Sequence, residues 1–523
     1  MPSYNIFFYS IILFLIGVLA ASFGVGFGII IVAATLLAAI FLLCGILRPK
    51  NLSEKISRSP SGQGVPTAFG TSEGEGKELF SRWGKRFWFS RASFLVDLHL
   101  FCLALLTVFI LLGAGYYKYD DAKFRNIKID FNKEINFSGI VIDDPQYSSN
   151  IQTLIIRLEE SYLGRISVKL MLYPQFHYGD KISFKGKIEK PQGNSYASYL
   201  AKEKINGLSD FPKAELAQSG LGSKIKSALF NFKHSIIDSY RKVLPPDQAA
   251  FLAGLTFGER GGLTKEFKEA MSRSGTSHLT ALSGLHLTII SAAVAILMGY
   301  LFSPALAFLF TALIIFGFVA MTGFAFSAAR AAIMGFAVLL AKLVGRIYDP
   351  RNSIALAAFL IILFNPKALV FDLGFQLSFL AVLGIIYFQP AFRKLLKFKP
   401  GPGFLAWREN FLMTFSAQLA TAPILIINFG NFSLTAFIAN ILILTVIPLT
   451  MVLGFSIGFF HFLSYYLALI LGWLVSLFLN YEIFIINFFA KIAAPINPSL
   501  NFWGILAYYL ILAGFVFYAR NKA

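Results

Sequence analysis

Two hydropathy patterns divide this chain: long apolar runs that carry almost no charge, and one stretch where apolar and polar residues alternate singly. Residues 6–47 are apolar nearly throughout, with a break near Ser22–Gly28, which predicts two membrane helices in a hairpin over domain 1–47. Residues 94–115 supply a further span, with Asp97 and His99 near one end. From 276 to 520 the apolar runs follow one another at 276–301, 304–322, 326–345, 352–365, 369–388, 410–428, 432–450, 451–471, 473–494 and 502–519. The pattern predicts a polytopic α-helical membrane protein of about 12–13 transmembrane helices.

Within 116–222 the period shortens to two. Ile135–Ile142, Thr153–Leu158, Arg165–Leu172 and Lys181–Ile188 alternate, separated by Asp143-Asp144-Pro145, Gly164, Gly179-Asp180 and Pro191-Gln192-Gly193. Such runs predict a small antiparallel β barrel or sandwich of about five strands, with an OB-fold as the natural candidate. Residues 223–275 turn helical again. Ile225, Leu229, Phe232, Ile236, Tyr240 and Val243 fall on one face and Lys224, Lys226, Lys233, Arg241 and Lys242 on the other, the pattern of amphipathic interfacial helices. A helix packed on the β domain has the same pattern.

Charge orients this plan. Residues 48–93 hold Arg48, Lys50, Lys55, Arg58, Lys77, Arg82, Lys85, Arg86 and Arg91 around a Ser/Gly/Pro-rich middle, a flexible basic linker that the positive-inside rule assigns to the cytoplasm. The span at 94–115 then carries the chain outward, and the β domain is expected to be extracytoplasmic. Composition agrees with a membrane protein: 56% hydrophobic, 14% charged, mean hydropathy +0.67, against about 25% charged in soluble domains. The net charge of +19 fits basic loops against an anionic leaflet, and secondarily a polyanionic cargo.

Cys44 and Cys102 both lie in apolar runs, so no disulfide framework or Cys-based zinc site is expected. The six His form no HExxH or clustered His/Asp motif, and the approach to a P-loop at Gly70–Lys77 lacks its glycine spacing and its Ser/Thr. No metal, cofactor or nucleotide motor is expected.

Polar side chains inside apolar sequence are costly, about 2.5–3.5 kcal/mol for a charge at the bilayer centre, and mark candidate function. They begin with Glu259, Arg260, Arg273, Thr276, Ser277, His278, Ser283 and His286, and continue through Arg330, Asp372, Gln376, Gln418 and Asn440. His278 and His286, eight apart, would lie about 80° apart on one ideal helix, a poor geometry for sharing a metal. Arg330 and Asp372 are in different spans, where they are candidates to pair. Ser283 with His286 has the residue types of an intramembrane serine hydrolase, but Ala281 stands where the Gly-x-Ser pattern needs glycine.

The block Phe251-Leu-Ala-Gly-Leu-Thr-Phe-Gly-Glu-Arg-Gly-Gly-Leu and Met271-Ser-Arg-Ser-Gly-Thr-Ser-His-Leu-Thr-Ala-Leu-Ser-Gly-Leu-His286 resembles the central signature of ComEC-type competence proteins. Ser327-Ala-Ala-Arg330-Ala, Asp349-Pro350, Asn365-Pro366, Asp372-Leu-Gly-Phe-Gln-Leu-Ser378, Gln418-Leu-Ala-Thr421-Ala-Pro423 and Asn440 with Pro448 follow in the family's order. The resemblance covers roughly 100–450. It implies a channel in the bacterial inner membrane that imports single-stranded DNA during natural transformation, with no catalytic residues of its own. The short form, without the metallo-β-lactamase-like domain of longer relatives, is expected. The polar residues of 259–440 would then line the DNA path in a 276–520 channel domain, and Lys169, Lys181, Lys185 and Lys187 of the OB-like domain would bind the strand. Implied partners are single-stranded DNA, the bilayer, a cytoplasmic ATPase or helicase, a periplasmic or surface DNA receptor and a separate nuclease. A transporter of another solute and a polytopic intramembrane hydrolase are the rival readings.

Overall fold

The computed structural model describes residues 3–23, 107–148, 150–159, 162–282, 284–396, 407–429, 435–493 and 502–521. The basic linker 48–93 and the second helix of the expected hairpin lie outside them. The chain divides into two units, Met1–Lys123 and Phe124–Ala523. In the first, α1 (Ser3–Ser22) meets α2 (residues 107–125) where Gly17 lies against the backbone of Ile110 and Gly113 against that of Phe14. Close approach at small residues is the usual way apolar helices pack in lipid. α2 runs beyond the expected end at 115, because residues 116–125 contain neither Gly nor Pro to stop it.

In the second unit a sheet of seven strands comes first: β1 (Glu134–Val141), β2 (Gln146–Ser148), β3 (Ile151–Leu158), β4 (Arg165–Met171), β5 (Lys181–Lys187), β6 (Gly207–Asp210) and β7 (Lys213–Gln218), in the order β6-β4-β3-β1-β5-β7 with β2 on β3. The pairs are antiparallel except β4–β6. Glu189, just past β5, bridges Leu208 of β6, so the sheet curls back toward itself. Its inner face is Phe137, Leu154, Ile156, Ile166, Val168, Ile182, Phe184 and Ile188, with Phe137 and Phe184 paired across strands and stacked at 5.1 Å. The four alternating runs are therefore strands, and three more join them. Helix α3 (Asn194–Lys202) crosses between β5 and β6.

Helices α4 (Lys224–Val243), α5 (Pro246–Phe257) and α6 (Lys265–Arg273) follow. α5 is enclosed from Gln248 to Phe257 apart from half-buried Ala250, which is the condition of a core helix. α4 buries Phe230, Ile236, Ile237 and Tyr240 in protein, whereas Ile225 and Phe232 of the expected apolar face are exposed. Gly258, in the left-handed conformation with φ +73°, closes α5.

The apolar block contains α7 (Gly284–Leu301), α8 (Pro304–Met321), α9 (Phe326–Val344), α10 (Pro350–Phe364), the single turn α11 (Ala368–Phe371), α12 (Leu373–Leu395), α13 (Trp407–Phe429), α14 (Ala436–Leu444), α15 (Ile447–Leu463), α16 (Tyr465–Ile492) and α17 (Phe502–Asn521). Among the described residues, six helices are long and apolar enough to cross a bilayer, or seven if α14 and α15, bent by 50°, are one span. Phe8–Ser22, Pro350–Phe364 and Trp503–Ala519 are shorter apolar helices. This is a polytopic helical membrane protein carrying a small β domain. The expected spans at 432–450 and 451–471 are instead this bent pair, followed by a 28-residue α16. The span expected from 276 starts at Gly284. Gly275 at φ +72° and a 3-10 turn, Ser277–Thr280, occupy the preceding residues.

Candidate functional site

The sequence-predicted residues separate into three groups. The first joins the β domain to the helices. Lys233 of α4 is buried, its Nζ 2.5 Å from Asp144 Oδ2 and 3.2 Å from Glu259 Oε2. His234 Nε2 lies 3.0 Å from Asp144 Oδ1. Two turns earlier Lys226 donates to the Ile142 carbonyl at 2.7 Å. Asp143-Asp144, read from sequence as a turn, is thus the point where the sheet is fastened to α4. Burial disfavours the Lys233 ammonium, but the charges of Asp144 and Glu259 and their hydrogen bonds outweigh it and hold the pKa above the usual lysine value. Burial likewise works against the Asp144 carboxylate, and the His234 hydrogen bond with the Lys233 charge brings its pKa below the ordinary range.

A second joint links α3 to α12. Lys202 Nζ is 2.5 Å from Asp372 Oδ2 and 2.7 Å from Glu203 Oε1, and Asn365 Nδ2 donates to the Lys202 carbonyl at 2.7 Å. The other Asp372 oxygen accepts from the Phe375 amide and caps α12. The expected partnership of Arg330 with Asp372 is therefore corrected: Asp372 is held at a helix end where a lysine of the β domain reaches it. Gln376, one turn on, donates to the Val370 carbonyl at 2.7 Å.

The second group ties the signature block to itself. Arg260 donates through Nε to the Thr280 carbonyl at 3.1 Å and through Nη2 to that of Ser277 at 2.9 Å. Thr276 is buried, its Oγ1 2.8 Å from Ser274 Oγ. His278 is in the 3-10 turn and does not share a helix with His286, so the single-helix geometry drawn for the two does not apply. Arg273 is exposed at the end of α6, and Ser283 lies outside the described residues.

The third group is enclosed among the apolar helices. His286 is buried in the first turn of α7, Arg330 of α9 is 6% exposed, and Asn440 of α14 is 4% exposed with no partner for its Oδ1 among the described residues. Gln418 is half-buried on α13. Sequence reasoning missed Glu482, fully buried on α16, which accepts from Thr450 Oγ1 at 2.6 Å. A lone Glu amid apolar residues 465–492 was the available signal.

On the outer face of the sheet Lys169 pairs with Asp210 at 3.2 Å and Lys181 with Glu159 at 3.3 Å. Lys185 and Lys187 are exposed. Two like-charge pairs stand directly opposite one another on exposed positions, Lys185 with Lys213 and Arg157 with Arg165. Such pairs oppose sheet stability by themselves, and only strand register, not sequence, exposes them.

The family model for "Competence protein" matches residues 255–522, just over half the chain and the segment that holds all of the second and third groups. The chain belongs to this competence family. It is 27% identical over 253 residues to ComE operon protein 3 of Bacillus subtilis (strain 168), an alignment covering 48% of this chain and 31% of that relative's length. No solved structure matches.

Proposed function

We propose that this competence-family protein is part of the route by which single-stranded DNA crosses the bacterial cell membrane during natural transformation. The observation that carries the reading is the family match over 255–522, the segment in which His286, Arg330 and Asn440 are enclosed among apolar helices. Groups so costly in lipid are retained where a polar cargo must pass.

The β domain is an OB-type module on the outer side of the membrane. Its curled mixed sheet and the basic pairs on its outer face support this. Lys185, Lys187, Lys213, Arg157 and Arg165 hold the strand through its phosphates, a contact that needs no sequence and weakens with salt. The two joints, Lys233–Asp144–Glu259 and Lys202–Asp372, fix the module on the helices so that a bound strand is delivered to one place. Glu259, Arg260, Asp372 and Gln376 position these parts; His286, Arg330, Gln418 and Asn440 face the cargo. The chain conducts and makes or breaks no bond. A cytoplasmic ATPase, a DNA receptor at the surface and a separate nuclease complete the process.

Deleting the gene and restoring it tests this. Transformation is expected to fall at least a hundredfold on deletion and to return with the wild-type chain, with DNA binding at the cell surface unchanged. Undiminished transformation in the deletion strain would overturn the reading.

A further inference from the structure

Phe211 stands in the short link between β6 and β7 with φ +53°, a left-handed conformation that glycine or asparagine enters readily and a bulky side chain rarely adopts. It is 50% exposed, and its ring meets no other aromatic ring among the described residues. The chain around it is fixed from two sides. Its amide donates to the Lys169 carbonyl of β4 at 2.8 Å, and Ser209 Oγ donates to the Lys187 carbonyl of β5 at 2.8 Å. Pro212 packs on Gly186 of β5, where a Cβ would stand 2.7 Å from the proline. Half of the ring covers nothing, so packing alone does not account for a phenylalanine held at this cost.

Its place is the seam of the curled sheet, between Lys169 on β4 and the basic row of β5 and β7. Lys169 is taken by Asp210 at 3.2 Å. Lys185, Lys187 and Lys213 are exposed and pair with no carboxylate among the described residues, Lys185 and Lys213 standing opposite one another. Phosphates call for cations and an unstacked base calls for a flat apolar face; a bare ring beside three unpaired lysines offers both. The bases of a duplex are already stacked on each other and have no face to give. Insertion into lipid, by contrast, takes an apolar face of several side chains, and Asp210 and Lys213 flank this ring.

We propose that Phe211 is a stacking platform for one base of single-stranded DNA, and the residue by which the β domain prefers a single strand to a duplex. The inference deepens the transport reading and rests on it for the lysine contacts to the strand.

The full chain in a maltoside detergent is titrated by fluorescence anisotropy with a labelled oligothymidylate at several salt concentrations, with an abasic strand of the same length, and with a duplex. Phe211→Ala is expected to weaken oligothymidylate binding about tenfold and Phe211→Tyr to preserve it. Neither changes the slope against salt, because the ring carries no charge. The abasic strand and the duplex are expected to bind wild type and Phe211→Ala alike. Should Phe211→Ala fold poorly, Phe211→Gly, which suits the positive φ, is expected to be at least as stable as the wild type and to show the same tenfold loss. Equal oligothymidylate affinity in the wild type and both variants overturns the proposal; a salt slope that still falls when Lys185 and Lys187 are replaced would then leave the lysine contacts standing. A loss of the same size for the abasic strand also overturns it, since the ring would be acting through something other than a base. A blue-shifted emission of Phe211→Trp in phosphatidylglycerol vesicles that added DNA does not quench would place the ring in lipid and overturn it as well. No binding of any strand by the wild type at low salt overturns both the platform and the DNA-holding role of the β domain.

Discussion

Lys233 Nζ sits 2.5 Å from Asp144 Oδ2, with Lys233 on α4 among the helices and Asp144 on the loop after β1. Both side chains are largely withdrawn from solvent, so removing one leaves the other charged and poorly solvated. Lys233→Ala is expected to destabilise the folded chain by about 3 kcal/mol, at the low end for a broken buried pair because His234 still serves Asp144. Hydrogen exchange at Asp143–Tyr147 and in α4 checks this; protection unchanged from wild type would remove the joint's assigned role.

The same joint has a defined pH window. Asp144 has a lowered pKa, so its contribution is complete above the unfolded value near 3.8 and is lost as pH falls through the lower folded value. Lys233 has a raised pKa, so its contribution is complete below about 10.5 and is lost as pH rises through the higher folded value. Thermal midpoints of wild type and Asp144→Asn are expected to differ at neutrality and to converge only as pH falls below about 3.8 through the lower folded value. A constant difference across the acid range would show that Asp144 does not stabilise through its charge.

Asp372 does two jobs that substitutions separate. Asp372→Asn keeps a capping oxygen for the Phe375 amide and loses the charge pair with Lys202, whereas Asp372→Ala loses both. The alanine variant is expected to be about 1 kcal/mol less stable than the asparagine variant, the usual worth of an N-cap. Equal unfolding midpoints for the two would mean that the cap contributes nothing here.

Basic residues on the sheet are expected to set a salt dependence. Replacing Lys185 and Lys187 together with Gln lowers the slope of log affinity against log salt by about 1.4 for single-stranded DNA, at about 0.7 for each phosphate no longer neutralised. Fluorescence titration of the full chain at several salt concentrations reads this directly. An unchanged slope would move the DNA-binding surface off β5.

Much of the architecture is legible in the residue order, and the gaps have physical causes. β1, β3, β4 and β5 show themselves because Leu154, Ile156, Ile166, Val168, Ile182 and Phe184 alternate with polar neighbours. β7, Lys-Ala-Glu-Leu-Ala-Gln, has the composition of a helix and becomes a strand because β5 offers it an open edge. The signature block is readable as a motif, but its interior bonding is not: Arg260 reaches Thr280 across twenty residues of turn and helix. Polar residues of one span also cannot announce partners from another domain, which is why the residue order suggests Arg330 for Asp372 when Lys202 is its partner. Arg330 itself stands out in the residue order because an arginine in an apolar helix is costly.

Passage of a strand through the membrane is the core of the account. The full chain reconstituted into sealed vesicles, with DNA supplied outside and a single-strand-binding protein trapped inside, gives the direct measurement: end-labelled single-stranded DNA that resists added nuclease. The account predicts protected strands that accumulate with time in wild-type vesicles, and at no more than a tenth of that level with Arg330→Gln. Intact vesicles holding correctly folded wild-type protein that bind DNA outside, yet protect none of it, would contradict it.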